Sequence, residues 1–273
     1  MPELPEVETI VRELRPKVIG RRILGVSVRY GRIVRPQSPA VFGKSVKGRK
    51  IISVDRRGKL IIIKLSGGKF LLVHLKMTGQ LIFNQKFADK HTHLILNLNG
   101  GQELHYNDQR KFGFVFSTDQ KGLQSIINDR FQFGPEPLGK ELTEEHLETV
   151  FRNKKAPIKA LLLNQKLIAG LGNIYADESL FRAGIHPARR DGTLNGIEIE
   201  KLHKSIRGVL RESIAAGGSS ARNYRRTTGE LGKFQDRHRV YQRHGEPCLS
   251  CGTGLERIVV AGRGTHFCKR CQT

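Results

Sequence analysis

The chain has 273 residues, and its 48 Lys and Arg against 25 Asp and Glu give a formal net charge of +23. Because both halves of the chain are basic, this excess favours a polyanionic partner, with nucleic acid as the first candidate. No apolar run approaches the roughly 20 residues of a membrane helix, and no secretion signal is visible, so a cytoplasmic location is expected.

The first predicted element is a helix behind the opening MPELPEVETI. Pro5 is tolerated in a first helical turn, and acidic side chains there oppose the positive end of the helix dipole. The apolar residues that follow recur at helical spacing, namely Val7, Ile10, Val11 and Leu14. A helix start explains the acidic opening but leaves Pro2 unexplained.

Strands are predicted next, in six short apolar segments at 23–30, 50–56, 59–65, 69–75, 93–98 and 112–117. Turn signals separate them at Gly58, Gly67-Gly68, Asn84 and Gly100-Gly101. No helix long enough for a βαβ crossover interrupts the series. The pattern therefore predicts an antiparallel sandwich or barrel.

The second half of the chain is predicted to be mainly helical, after a boundary at 133–141 that is rich in Gly and Pro. Thr143 is a candidate cap for the first of these helices. In the helix predicted from Gly196, one apolar face is formed by Leu202, Ile206, Val209, Leu210 and Ile214. Residues 217–243 lose the periodicity and are predicted to form a basic loop.

All four cysteines lie near the end of the chain, in two C-x2-C pairs formed by Cys248, Cys251, Cys268 and Cys271. Four thiolates at this spacing are typical of one tetrahedral zinc ion. Disulfides rarely persist in the expected compartment, and a redox pair would need a βαβ unit. We therefore expect one structural Zn²⁺, which leaves no open position for catalysis and helps to fold a tail too short for a large core.

Between the cysteine pairs, the segment VVAGRGTH at 259–266 predicts a hairpin whose tip presents Arg263. A solvated turn arginine is one interpretation. In a zinc hairpin of a basic protein, contact with a phosphate is at least as well supported.

Pro2 gains a chemical interpretation if Met1 is removed. The chain would then begin with a secondary amine, and an α-amino group has a pKa of about 8, so part of it is neutral near pH 7. Such an amine can attack a sugar C1′ and form an iminium, as lysine Schiff-base enzymes do with carbonyl substrates. A neighbouring carboxyl group can move the protons that this chemistry requires.

Three segments together resemble the bacterial formamidopyrimidine-DNA glycosylase family over nearly the whole chain. They are MPELPEVE at the start, GLGNIYADE at 170–178 and AGRGTHFCKRCQ at 261–272. The resemblance implies a bifunctional DNA repair glycosylase and AP lyase that acts on double-stranded DNA, as a monomer, in the bacterial cytoplasm at the nucleoid. It would flip out and excise oxidised purines through a proline iminium, and then cleave the strand by β,δ-elimination.

The resemblance also implies an α+β multidomain fold. Residues 1–133 would form a catalytic β-sandwich domain with an N-terminal helix. Residues 134–225 would form a helix-two-turns-helix DNA-binding domain, and residues 226–273 would hold the end of the basic loop and a zinc-finger β-hairpin.

The family's catalytic residues carry over to four positions of this chain. Pro2 matches the nucleophile, and Glu3 matches the catalytic acid. Lys59 of RRGKL matches the proton donor for β-elimination, although by itself it would be interpreted as a hairpin lysine. Arg263 matches the donor for δ-elimination. Glu6, Glu178 and Tyr224 are expected to have supporting roles.

The family's DNA contacts carry over in the same way. Met77 of HLKMTG, with Arg110 and Phe112 of NDQRKFG, would fill the gap that a flipped base leaves. Without the motif, Phe112 is equally well interpreted as a core strand residue. The phosphate contacts would be His91, Lys154 and Asn173.

The chain departs from the family in the basic loop, where Gln242 stands in place of the usual glycine of VYGR. Because that loop folds over the flipped base, the departure bears on lesion preference.

Two alternative functions remain. The sister enzyme endonuclease VIII excises oxidised pyrimidines, but it usually opens with PEGPE, whereas this chain has Leu4 in PELPE. A non-catalytic, lesion-binding zinc protein is the other alternative, and the presence of Pro2, Glu3, Lys59 and Arg263 argues against it.

Overall fold

The computed structural model describes residues 1–152, 154–190, 194–221 and 223–273. They divide into two units, the first made of Met1–Phe131 with Ala216–Lys233 and the second of Gln132–Ala215 with Phe234–Thr273. Arg222 of the predicted basic loop lies outside the described residues. The division into three domains at 133/134 and 225/226 stays a prediction.

The first unit contains an N-terminal helix and two antiparallel four-stranded sheets in its described residues, as predicted. The helix α1 spans Leu4–Val18. One sheet has the order β1-β6-β7-β5 and the other β2-β3-β4-β8. The strands are β1 (Ile23–Val28), β2 (Ile51–Arg57), β3 (Leu60–Leu65), β4 (Lys69–His74), β5 (Gly79–Phe83), β6 (Thr92–Leu98), β7 (Gln102–Asp108) and β8 (Phe114–Asp119).

Side chains from α1 and from both sheets share one apolar core. Val7, Ile10 and Leu14 of α1 are fully buried there together with Ile61 and Ile63 of β3. Burying each such side chain stabilises the fold by roughly 1.5–3 kcal/mol. The same core therefore fixes α1, and with it the first residues of the chain, against the sandwich.

Two short helices of the first unit were not predicted. Helix α2 (Pro39–Val46) begins after Ser38, whose hydroxyl accepts a hydrogen bond from the N–H of Val41. Helix α3 (Gln120–Ser125) begins after Asp119, whose carboxylate accepts one from Gly122, and a π-helical turn at Ile126–Phe131 follows it. Both begin with the side-chain caps that are strongly preferred at helix N-termini.

The second unit is mainly helical, as predicted, with helices α4 (Glu144–Phe151), α5 (Ile158–Leu163), α6 (Asn173–Ala183) and α7 (Gly196–Ala215), and it also contains the hairpin β9 (Glu256–Val260) and β10 (Arg263–Phe267). Thr143 caps α4 by accepting from the N–H of His146, as expected. The predicted apolar face of α7 is buried at Leu202, Ile206, Val209 and Leu210. Within the described ranges, the structure contains no helix long and apolar enough to cross a membrane.

Candidate active site

The start of α1 brings Pro2, Glu3 and Glu6 together in the buried part of the first unit. Glu3 and Glu6 are only 3% and 1% exposed. One Glu6 oxygen, Oε2, accepts the backbone N–H of Glu3 at 2.7 Å, and Oε1 accepts the N–H of Ser219 at 2.8 Å. Glu6 therefore holds the backbone beside Pro2, and its supporting role in the chemistry stays a prediction.

Gly218 and Ser219, which contact Glu6, are tightly packed against it. Gly218 has φ +83°, and a Cβ there would lie 2.9 Å from Tyr224 and 3.1 Å from Glu6. Only glycine fits both the backbone conformation and the gap. Burial, together with the charges of Glu6 and Glu13, raises the pKa of Tyr224 well above its usual range, so its hydroxyl stays neutral.

Lys59 lies in the turn between β2 and β3 and is 6% exposed. The next residue, Leu60, pairs with His74 of β4. The Nδ1 atom of His74 accepts the backbone N–H of Lys76 at 3.0 Å. Burial, aided by the charges of Lys76 and Lys59, lowers the pKa of His74 to about 3, so a neutral imidazole lies in the neighbourhood of Lys59.

Met77, Arg110 and Phe112 form a cluster at the surface of the first unit. The guanidinium carbon of Arg110 lies 4.7 Å from the centre of the Phe112 ring, and its Nη1 atom is 3.0 Å from the Met77 sulfur. Phe112 is 49% exposed, so it is not the core strand residue that the apolar pattern alone would allow. The structure thus brings together the three residues predicted to fill a gap in DNA.

The backbone of His91 is hydrogen-bonded to Asp89 and to Asp108, two residues before Arg110. Its N–H donates to Asp89 at 2.7 Å, and its carbonyl accepts the N–H of Asp108 at 2.9 Å. Lys154 belongs to the second unit, where it is exposed between α4 and α5.

In the second unit, Asn173 and the Arg263 hairpin are in direct contact. Asn173 is the first residue of α6, and its Nδ2 donates to the carbonyl of Gly264 at 2.9 Å. Arg263 is exposed and begins β10, opposite Val260. The turn itself is formed by Ala261 and Gly262, so the predicted hairpin is confirmed, but Arg263 is the first residue of β10 and not the tip, because the two glycines and Arg263 do not form the turn together.

A buried ion pair beneath this hairpin was missed at the level of sequence. Lys159 of α5 and Asp177 of α6 are both fully buried, with Nζ and Oδ1 2.6 Å apart. Lys159 also donates to the Thr265 hydroxyl at 2.8 Å, and Asp177 accepts the N–H of His266 at 3.0 Å. The only signal was a lysine inside the apolar run IKALLL.

Glu178 anchors the segment after Phe234. Its carboxylate accepts the backbone N–H groups of Arg239, Val240 and Tyr241 at 2.8–3.1 Å. Burial raises the pKa of Glu178, and these N–H groups counteract the rise. The next residue, Gln242, has φ +61°, a left-handed conformation that favours glycine, which gives a physical reason for the glycine usual at this position.

The four cysteines fit a structural zinc ion. None of the four forms a disulfide, and their Sγ atoms lie within 4.8 Å of one another. Cys248 and Cys271 are 3.9 Å apart and Cys251 and Cys268 are 3.5 Å apart, measured between sulfurs. Tetrahedral Zn–S bonds of about 2.3 Å require sulfurs about 3.8 Å apart. The chain therefore holds one structural Zn²⁺ in a site that protein ligands fill.

Comparison with known proteins identifies three family regions along the chain. Residues 1–115 match the formamidopyrimidine-DNA glycosylase N-terminal domain, residues 133–225 the H2TH domain of the same glycosylase, and residues 245–273 a zinc finger found in FPG and IleRS.

Full-length relatives agree with these regions. A formamidopyrimidine-DNA glycosylase from Chloroflexus aggregans is 46% identical over 275 residues, which cover 100% of this chain and 98% of the relative. A Lactococcus lactis FPG mutant, solved with DNA containing Fapy-dG, has a TM-score of 0.93 and 37% identity, with both chains fully covered. The Lactococcus lactis Fpg solved with DNA containing an abasic site also has a TM-score of 0.93 and 37% identity, over 99% of each chain.

Proposed function

This chain belongs to the formamidopyrimidine-DNA glycosylase family and is a DNA repair glycosylase, and on that premise we propose that it excises oxidised purines through a covalent intermediate on Pro2. The observation that carries the proposal is the start of α1, where Pro2 lies beside two buried carboxylates. The proposed substrates are 8-oxoguanine and formamidopyrimidines in double-stranded DNA.

The nucleophile in this proposal is the amine of Pro2, which requires removal of Met1. Its nitrogen attacks C1′ of the damaged nucleotide, the bond from C1′ to the base breaks, and the base leaves with a proton. Glu3 follows Pro2 directly in the sequence, so its carboxyl group is the proposed proton donor and acceptor for the sugar. Because Glu3 is buried, this exchange takes place in an environment with little water. The Pro2 nitrogen then loses its proton, the C1′–O4′ bond breaks, and O4′ takes up a proton, for which Glu3 is the proposed donor, so the product of this stage is an iminium between Pro2 and the opened sugar.

Strand cleavage follows by two eliminations from the iminium. Loss of a C2′ proton breaks the C3′–O bond and releases a strand that ends in a 5′-phosphate, and loss of a C4′ proton then breaks the C5′–O bond and releases a strand that ends in a 3′-phosphate. Water hydrolyses the remaining iminium, which frees Pro2 from the sugar remnant and leaves a one-nucleotide gap. Lys59 is the proposed proton donor for the first elimination. Arg263, exposed at the zinc hairpin, is the proposed donor for the second and would also bind a phosphate.

Base flipping has to precede this chemistry because C1′ is inaccessible inside the stacked duplex. The Met77–Arg110–Phe112 cluster supports this step, since an exposed ring stacked under a guanidinium can enter a base stack. Stacking of this kind is worth about 1–3 kcal/mol per base, which compares with the cost of unstacking. The proposed phosphate contacts are His91, Lys154 and Asn173.

The substrate preference is tested by single-turnover excision from two labelled duplexes. One contains 8-oxoguanine opposite cytosine, and the other contains thymine glycol opposite adenine. The proposal predicts at least about tenfold faster excision of 8-oxoguanine, equivalent to 1.4 kcal/mol, with products that carry phosphate on both sides of a gap. Preference for thymine glycol would assign the chain to the endonuclease VIII type, and lesion binding without cleavage would make it a recognition protein.

A further inference from the structure

Asp108, at the end of β7, is a buried carboxylate that none of the roles above uses. It is fully buried, and its side chain joins two loops. Oδ1 accepts the Thr78 hydroxyl at 2.5 Å and, at a longer 3.3 Å, the backbone N–H of Arg110. Oδ2 accepts the backbone N–H of Gly113 at 2.8 Å.

The side chain of Asp108 is hydrogen-bonded to residues that adjoin Met77 and Phe112 in the sequence. Thr78 follows Met77 directly, and Arg110 and Gly113 enclose the segment that contains Phe112. The Thr78 hydroxyl also accepts the N–H of Arg110 at 3.0 Å, so the two loops are bonded to each other as well as to Asp108. The backbone N–H of Asp108 adds a bond to the carbonyl of His91.

The packing around Asp108 leaves little freedom for the two loops to move separately. The Tyr106 hydroxyl, 3.5 Å from Oδ2 of Asp108, lies where a side chain on Gly79 or on Gly113 would have to go. A Cβ on Gly113 would approach that hydroxyl to 1.8 Å and the carbonyl of His74 to 2.8 Å. On the far side, Arg35 donates to the carbonyls of Phe112 at 2.9 Å and Gly113 at 3.2 Å.

We infer that Asp108 is a positioning residue that couples the Met77 loop to the Arg110–Phe112 loop, so that the three side chains enter the DNA stack as one unit. The inference rests on the proposed function, because it assigns a cause to the geometry of the gap-filling cluster. A carboxylate suits this task because both of its oxygens only accept, and the groups that face it are all donors.

The first test is the variant Asp108→Asn. Its amide group has one acceptor oxygen and one donor nitrogen, so one loop would face a donor in place of an acceptor. Gap filling is followed by the fluorescence of 2-aminopurine placed opposite a tetrahydrofuran abasic analogue, and excision is followed on the duplex with 8-oxoguanine. We expect both rates to fall about 10- to 100-fold, as for misplacement of a positioning group by about 1 Å.

A substrate without a gap separates positioning from chemistry. Cleavage of an abasic site in a single-stranded oligonucleotide needs the iminium and the eliminations. It does not need gap filling, because a single strand has no opposite base and no duplex stack to fill. We expect Asp108→Asn to cleave it within about twofold of the wild-type rate, an energy difference of about 0.4 kcal/mol. The matched control is Asp119→Asn, which removes an exposed carboxylate at the start of α3 and should change neither rate.

Thr78 supplies a second variant in case Asp108→Asn folds poorly. Thr78→Val keeps the shape of the side chain but removes the hydroxyl that links Asp108 to Arg110, so it should show the same selective loss. Thr78→Ser restores the hydroxyl and should restore gap filling.

The outcomes are distinguishable. Wild-type rates of gap filling in both Asp108→Asn and Thr78→Val would overturn the inference and leave the proposed function in place, and so would equal losses on the duplex and the single strand. A wild-type protein that cleaves neither substrate would overturn the proposed function and the inference with it.

Discussion

Glu13 on α1 and Arg226 form an ion pair between two parts of the chain that lie 213 residues apart, with Oε1 and Nε separated by 2.5 Å. The other Glu13 oxygen accepts both the backbone N–H and the hydroxyl of Thr227, at 2.9 and 2.8 Å. Together with the bond from Ser219 to Glu6, this attaches segment 216–233 to the helix that carries Pro2.

Glu13→Gln is expected to loosen segment 216–233 from α1. The variant replaces the charged acceptor of three hydrogen bonds with a neutral amide, which should lower the free energy of unfolding by about 1–3 kcal/mol. Limited proteolysis followed by mass spectrometry should detect faster cleavage within 216–233. Glu200→Gln, in an exposed pair on α7, is the control, and equal cleavage rates in both variants would show that Glu13 does not anchor the segment.

Glu6→Gln is expected to disturb the start of α1. An amide nitrogen would face the N–H of Glu3 or of Ser219, and an unpaired buried donor costs about 1–3 kcal/mol. We expect a lower melting temperature and at least about tenfold slower excision, equivalent to 1.4 kcal/mol. Asp55→Asn breaks an exposed pair with Arg15 and should leave both properties nearly unchanged. Normal excision by Glu6→Gln would contradict a supporting role for Glu6.

Zinc removal is expected to unfold the hairpin β9–β10, because four thiolates around a metal supply folding energy that a short tail lacks. Hydrogen exchange after treatment with a strong chelator should show lost amide protection in residues 256–267 and retained protection in β3 and β4. Re-addition of Zn²⁺ should restore the protection. Protection of 256–267 that survives complete zinc removal would contradict a structural role for the metal.

The buried His74 predicts a stability that falls at acidic pH. Its pKa is about 3 in the folded chain against 6.5 without the fold, so the unfolded chain binds more protons between these values and stability rises with pH across that window. One such group contributes about 2 kcal/mol between pH 5 and pH 7. His74→Asn should flatten this dependence in urea unfolding at the two pH values, whereas exposed His244→Asn should not. An unchanged slope in His74→Asn would contradict the account.

Helix α1, the helices of the second unit and most strands could be predicted from the sequence because their apolar residues carry the period of the element, whereas the short helices α2 and α3 could not. Two strands could not. Strand β5 is only five residues long and begins at Gly79, and β7 reads QELHYND, in which only Leu104 and Tyr106 are large and apolar. Strand β5 pairs with β7, and β7 pairs with β6; these pairings arise from the sheet as a whole, and no local sequence pattern indicates them.

The candidate site was predictable only where its residues belong to recognisable motifs. Pro2, Arg110 and the cysteines lie in such motifs. Glu13 lies in no such motif, and its hydrogen bonds with Thr227 exist only in the folded chain. Asp108 lies inside the NDQRKFG motif, but its bonds to Thr78 and Gly113 depend on how two loops meet.

The central claim is that Pro2 is the nucleophile, and borohydride trapping tests it most directly. The protein is incubated with a duplex carrying 8-oxoguanine opposite cytosine, reduced with borohydride and digested, and the cross-linked peptide is sequenced by mass spectrometry. The account predicts one adduct on the nitrogen of Pro2 in a chain without Met1, and no such adduct in Pro2→Gly on the same time scale. An adduct on a lysine such as Lys59, or strand cleavage by a chain that retains Met1, would contradict it.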